Sequence, residues 1–544
     1  MRRTFWSILL LLPLGGALGG HAWAADVYGQ WRTQWLEQAN KQPQLHYHDV
    51  MPVTAVKAVK DGKAFQGWRY EPTEGLDGLY GKDFKQVKSI TLDFGRHMVG
   101  QFRFHTRDIV RCQDAPVRLK FTFGELPAEM NTQLDPWQGT LSRAWMQDET
   151  VTVTQTGTTI TLPRRLACRY LRIDLLGASP DFSFTIDSLV FRAQSSAGEV
   201  LTALQPGCPA LVRDINRVGI ETLRECMQTV YEDGPKRDHR LWAGDLYLQS
   251  LVNRYSFRNF DLTKRCLYIL AAMSQDDGTV ISNVFEQPAL HPQVGSICLS
   301  YCLLFNTALY EYLNDTGDMA TARDLWSVAK RQMQLALGFV NKEGLFSNCP
   351  LWQFFDWRDG LDVSTCMQGC TIFALDQTHA LAKAIGRGDE VKAWPALAGK
   401  MRRVAMRHLY DKRQGVFVSG PERQVSALSQ AWMVMSGVCD KAVGQKAMRH
   451  ALSMPSAVRP GTPYATHYII QALVDCGLRA EARQYLVDYW GGMVKKGADT
   501  FWEAYDPKDD YISPYKFFPL NSACHAWSCT PVYFIHKYPD IFQQ

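Results

Sequence analysis

Two periods of apolar residues divide the chain. From residue 26 to about 198, apolar and polar positions alternate in short runs: Ser89 to Phe94, Val117 to Phe123, Thr150 to Val153, Tyr170 to Leu175 and Phe182 to Ile186. A period of two bounded by Gly, Pro and Asp predicts strands with one buried face, and several in succession without helices predict an antiparallel β-sandwich. From Cys208 the step becomes three and four, as in Leu211, Ile215, Val218, Thr222 and Cys226. About twelve such segments follow, beginning near residues 208, 244, 262, 296, 319, 364, 388, 426, 441, 462, 479 and 521. Turns as short as Asn314–Asp318 and Cys476–Leu478 make consecutive helices antiparallel neighbours. Six such hairpins predict an (α/α)6 barrel, and without a repeated sequence period a solenoid is disfavoured.

The first 24 residues stand apart. Arg2 and Arg3 precede a largely apolar stretch from Phe5 to Leu18, and Ala22-Trp23-Ala24 supplies the small-x-small pattern of a cleavage site. This reads as a signal peptide for a periplasmic or secreted protein, too short to span a membrane comfortably. The expected organisation is therefore residues 1–24 signal peptide, 25–198 β-sandwich and 199–544 (α/α)6 barrel.

Charge and composition narrow the function. The formal net charge is +5, two of which belong to Arg2 and Arg3, and no basic stripe or tail is present, so nucleic acid is not an expected partner. Sixteen tryptophans are a slight pointer to sugar faces, on which indoles stack. The 14 cysteines are irregularly spaced, and Cys226, Cys266, Cys298 and Cys302 fall on apolar helix faces, which favours buried free thiols. No Cys/His spacing fits zinc and no Asp/Asn-rich loop fits calcium, so neither a metal nor a cofactor is expected.

Chemistry concentrates in three loops of the helical half. Glu232 to Asp245 holds seven acidic or basic residues and a histidine around Gly234-Pro235. A solvated charged loop would look the same, but Asp and Arg beside Trp242 are also what sugar recognition needs: directional hydrogen bonds to hydroxyls and an indole against the apolar face. Trp352 to Gly360 repeats the recipe with Trp352, Asp356, Trp357 and Asp359. Thr500 to Asp506 sets Glu503 between aromatics, with Trp502 beside it. Among rings such a carboxyl gains proton affinity; ordered by donors it can act as a base toward water. His525 opens the last helical segment.

The run Asp233-Gly234-Pro235-Lys236-Arg237-Asp238-His239-Arg240-Leu241-Trp242-Ala243-Gly244-Asp245 resembles, with one deletion, the D-C-P-x-R-D-E-R-L-G-W-x-G-D signature of the α-L-rhamnosidases of glycoside hydrolase family 78. Trp502-Glu503 and His525 resemble its later W-E pair and histidine. The resemblance covers about residues 85 to 535 and implies a β-sandwich ahead of an (α/α)6 barrel, without the family's usual C-terminal sandwich. It also implies an exported hydrolase that releases rhamnose from a glycan with inversion. In that scheme Glu503 is the general base, while Asp233, Arg237, Trp242, Asp245 and His525 hold the sugar. Trp352, Trp357 and Trp502 are the aromatic candidates. At the family's general-acid glutamate stands His239. An imidazolium can donate a proton; Asp238, Glu232 and Glu286 are the other candidates. Asp238 is the less direct substitute for His239, since neighbours on an extended segment point opposite ways. Two other classes of function remain: β-elimination on a rhamnose- or uronate-containing polysaccharide, and sugar binding without catalysis.

Overall fold

A computed structural model describes residues 26–73 and 75–544; the signal-peptide reading lies outside the described residues. Among the described residues, nine antiparallel strands lie in the first half: β1 His46–Val50, β2 Thr54–Lys60, β3 Trp68–Pro72, β4 Ser89–Val110, β5 Val117–Gly124, β6 Asp148–Val153, β7 Thr159–Thr161, β8 Leu166–Gly177 and β9 Ser183–Ser195. Each run of alternating residues falls on one of these strands. In β5, Val117, Leu119 and Phe121 turn inward beside Phe102 and Phe104 of β4, where the apolar face is removed from water.

Hydrogen bonds join all nine strands into one sheet, because β4 changes neighbours along its length. Its first part lies between β2 and β8; beyond a register shift between Asp93 and Met98 it runs beside β9. One departure from the expected all-β reading precedes the sheet. Gly29–Ala39 is a helix, and it packs on helix Phe260–Ala272 of the other half, with Trp35 fully buried and its Nε1 donating to Asp324.

Twelve helices of seven residues or more follow residue 200 among the described residues. Six form an inner ring: Ala243–Arg254, Leu299–Thr316, Ser364–Ala384, Ala427–Met435, Pro463–Asp475 and Pro531–Lys537. Successive inner helices from the first to the fifth pack on one another, and the last returns to the first. Nine of the twelve begin within a few residues of the sequence expectation; near 319 a six-residue helix, Met319–Asp324, comes first and the longer one opens at Trp326. The segment expected near 388 starts as a 3-10 turn, Gly388–Val391, before its helix opens at Trp394-Pro395. The last helix opens at Pro531 because the chain from Asn521 to Thr530 is spent on the site instead.

Candidate active site

A cavity of about 320 Å³ lies at the end of the ring where inner helices Ala243–Arg254 and Leu299–Thr316 start. Asp245 is in the first turn of Ala243–Arg254, and Tyr301 in that of Leu299–Thr316. Helix N-termini favour negative charge, so carboxylates are well placed here. Gly244 is required by contact: a Cβ there would come within 2.2 Å of the Tyr301 ring.

Three distant segments are stitched together beneath the cavity. Asp233 closes the motif turn on itself, its backbone N–H donating to Arg240 O at 3.1 Å and its Oδ1 accepting from Arg240 N at 3.2 Å. Ala526 N donates to Asp233 O at 2.8 Å, tying this turn to the 519–526 loop. That loop runs beside the third motif: Glu503 N donates to Ser522 O and His525 N to Phe501 O, each at 2.9 Å. As a result Asp233, Arg237, Asp238, Trp242, Asp245, Trp352, Trp357, Glu503 and His525 all line one cavity. Tyr301, Phe354, Tyr515 and Trp527 complete it, and none of these four is singled out by the sequence. Phe354, Tyr515 and Trp527 do lie within or beside the aromatic-acidic loops. Tyr301 has no local signal beyond its place at the start of an inner helix.

Glu503 is buried and densely solvated by donors. Arg237 Nη2 lies 2.7 Å from both carboxylate oxygens, Ser522 N donates to Oε2 at 3.1 Å, and the Tyr515 hydroxyl donates to Oε1. Burial pushes its pKa up, but the Arg237 guanidinium and the other donors outweigh burial and bring it below the usual glutamate range. Of the two possibilities open at the sequence level, the ordered, ionised carboxylate is the one found. Asp233 and Asp245 contrast with it. Burial first, then the nearby Asp238 and Asp245 carboxylates, push Asp233 well above the carboxylate range; burial takes Asp245 up to about 8. His525, 3.9 Å from Asp233 and 4.0 Å from Asp245, is held neutral by burial at about 3. Asp245 Oδ1 and His525 Nδ1 are buried without a hydrogen-bond partner in the protein. Buried polar atoms are rarely left so, and groups aimed at a cavity with aromatic walls suit a ligand rich in hydroxyls.

Two expected site residues are absent from the cavity. Trp502 faces the sheet domain, stacked on Phe65 with centroids 4.1 Å apart, since it alternates with Glu503 along the backbone. His239 also turns away, its ring edge-on to Trp145 at 6.0 Å. Burial, then the Arg165 guanidinium, hold its pKa near 3, which leaves it neutral and without a proton to give. Asp238 is the residue that enters. Both sit in the left-handed region, with φ of 71° for Asp238 and 54° for His239, so the extended-chain argument against Asp238 does not apply. Glu232 and Glu286 lie elsewhere: Arg165 holds Glu232 at 2.6 and 2.7 Å, and Arg265 holds Glu286 at 2.8 Å.

Comparisons with known proteins agree with this architecture. Residues 52–193 match the glycosyl hydrolase family 78 alpha-rhamnosidase N-terminal domain, and residues 209–538 the bacterial alpha-L-rhamnosidase 6 hairpin glycosidase domain. The structure of a rhamnosidase from Klebsiella oxytoca with rhamnose bound superposes with a TM-score of 0.90 at 38% identity, covering 93% of this chain and 99% of that one. The GH78 family rhamnosidase of Bacillus sp. GL1 shares the fold at 20% identity and a TM-score of 0.69, over 82% of this chain and 46% of that one. The α-L-rhamnosidase of Dictyoglumus thermophilum shares it at 15% identity and 0.66, over 91% and 52%. A search of curated proteins gave no match. With both halves matched in order and the helical profile spanning more than half its length, the chain belongs to the α-L-rhamnosidases of glycoside hydrolase family 78.

Proposed function

We propose that the protein is an exported, inverting α-L-rhamnosidase in which Glu503 activates water and Asp238 protonates the leaving oxygen. The observation that carries this reading is the single guanidinium that spans both acids. Arg237 Nη2 lies 2.7 Å from Glu503 and Nη1 lies 3.4 Å from Asp238 Oδ1. The two carboxylates are thus no farther apart than a guanidinium and two contacts, roughly 8 Å, a spacing compatible with the roughly 6.5–9.5 Å that leaves room for water in an inverting site. Glu503, held ionised by its donors, has the state a base needs. Asp233, Asp245 and His525 hold the sugar hydroxyls, and Trp242 and Trp357 cover its apolar faces. Rhamnose bound to the Klebsiella oxytoca relative supports the choice of sugar. Residues 1–24 support export.

The lining weighs against elimination from a uronide. Glu503, held ionised, already takes the Arg237 guanidinium, and His525 is neutral, so a substrate carboxylate would find no free cation on the lining. The test is an incubation of α-L-rhamnosides followed by proton NMR. Wild type is expected to release β-rhamnose first. Glu503→Gln is expected to lose about 10²–10⁴-fold in kcat with its melting temperature unchanged to within a few degrees. Release of α-rhamnose first, or a Glu503→Gln enzyme near wild-type rate, would overturn the assignment.

A further inference from the structure

The sheet domain reaches the site through an irregular segment. Between the short helix Pro127–Met130 and strand β6, the chain from Asn131 to Ser142 forms neither helix nor strand. Stretches of that length inside a compact domain usually serve a function. This one packs against the loop that carries Tyr515. We propose that Tyr515 is a positioning residue for Glu503, and that the Asn131–Met146 segment of the sheet domain holds it in place. The proposal rests on the reading of Glu503 as the base.

Tyr515 acts at its tip and at its face. Its hydroxyl accepts from Arg237 Nη2 at 2.8 Å and also meets Glu503 Oε1. A guanidinium has only donors, so the single hydroxyl proton is left for the carboxylate. The ring lies under the same guanidinium, 4.4 Å from Arg237 Cζ to the centroid. One side chain thus fixes the base and its cation together.

The segment grips both places where this loop binds Arg237. Besides the Tyr515 hydroxyl, the loop offers Leu520 O, which accepts from Arg237 Nε at 3.2 Å. Thr140 donates to Tyr515 O twice, from its N–H at 3.2 Å and from its hydroxyl at 3.3 Å. Gly139 passes so near Leu520 that a Cβ would come within 2.5 Å of Leu520 Cδ1. Trp137 packs edge-on against Phe517, with centroids 5.2 Å apart.

The segment is itself anchored. Trp137 Nε1 donates to Leu141 O at 2.8 Å, which folds the segment on itself. Arg143 forks onto both oxygens of Asp148 at the start of β6, at 2.8 and 2.7 Å. Trp137, Gly139 and Thr140 do not line the sugar cavity, so any effect they have on turnover passes through the loop they hold.

The experiment records kcat and kcat/KM against pH for wild type, Tyr515→Phe and Trp137→Ala on an aryl α-L-rhamnoside. Its leaving group needs little help from the acid, so the acid limb of kcat/KM reads the base. Tyr515→Phe keeps the ring and removes one donor. A carboxylate with fewer donors protonates at higher pH, so the limb should move up by about one pH unit. On the plateau kcat should fall about 5- to 20-fold, since the carboxylate is less firmly aimed. Trp137 is half-buried on its loop, so its truncation leaves the core intact. Trp137→Ala should move the limb the same way by about half as much, with kcat down about 2- to 5-fold. Rhamnose affinity by calorimetric titration should change less than about threefold in both variants. A tyrosine that only packs would lower the melting temperature and leave the limb where it is; one that only holds the sugar would weaken rhamnose binding and do the same. A limb that stays put in either variant therefore overturns the proposal. Glu503→Gln, assayed alongside, separates the two readings. If it loses turnover while the limb stays put, this proposal alone fails; if it turns over near the wild-type rate, the base assignment fails and takes this proposal with it.

Discussion

Lys236 and Arg237 are consecutive, both cationic and both buried, yet they serve two clusters built on opposite terms. Lys236 turns to the sheet. Its Nζ meets Glu125 and Glu129 at 3.2 Å each, Pro519 O at 3.1 Å and Asn521 O at 2.6 Å. Glu125 is matched again by His97 at 3.0 Å and by Ala523 N at 2.6 Å. Burial disfavours the His97 cation, but Cys524 and Glu125 push its pKa up to about 10, so two cations face two acids. Arg237 turns to the cavity, where Glu503 takes its charge, burial keeps Asp233 and Asp245 protonated, and Asp245 Oδ1 and His525 Nδ1 have no partner. Matched charge closes a structure; unpartnered polar groups beside a cavity are complete only when something binds. The sheet domain thus contributes to the site at second hand. Its matched cluster fixes the 519–523 backbone, which in turn holds Glu503 and Arg237.

The matched cluster should break hardest. Lys236→Met leaves Glu125 and Glu129 facing each other with His97 as their only cation, and removing one member of a buried pair costs about 3–5 kcal/mol. Urea denaturation of the variant should show that loss; a change below about 1 kcal/mol would mean that the cluster does not hold the domains as described.

The unpartnered cluster should respond the other way. Asp245 stays protonated in the folded chain up to about pH 8, whereas the unfolded chain releases that proton near the ordinary carboxylate value. Between those limits the folded state holds the extra proton, so its stability falls as pH rises through that window. Asp245→Asn removes this dependence while keeping shape. Its stability should exceed wild type by roughly 1–2 kcal/mol at pH 7.5 and converge with it near pH 4.5, while rhamnose affinity falls. Melting curves at both pH values, with calorimetric titration of rhamnose, check this. Equal destabilisation at both would contradict the protonated state.

The same contrast explains what was legible in the sequence. Strands and inner helices were, because each buries a face and writes its period into the apolar positions; Val117 to Phe123 and Leu211 to Cys226 are examples. Helix Gly29–Ala39 was not, since it buries little beyond Trp35 and Ala39 and carries no clear stripe. The acidic and aromatic loops converge on one cavity. Which member of an adjacent pair points inward was not legible: Trp502 against Glu503 depends on backbone phase, and His239 against Asp238 on two left-handed residues at positions that no glycine announces. Tyr301 arrives through the closure of the ring, which no local pattern encodes.

His239 gives the sharpest small test, because the expected effect is nearly nothing. Its Nε2 is buried without a partner, and its neutral ring packs on Trp145 behind the turn. The backbone conformation, φ 54°, is one that asparagine tolerates better than most residues. His239→Asn should therefore fold and keep kcat within about threefold on rhamnosides with poor leaving groups, with the alkaline limb of its pH profile unmoved. If His239 were the acid, kcat would fall at least about 10²-fold, most on substrates whose leaving groups most need a proton. The size of the change on a poor leaving group, compared with that of Asp238→Asn on the same substrate, then assigns the proton to one residue of the turn.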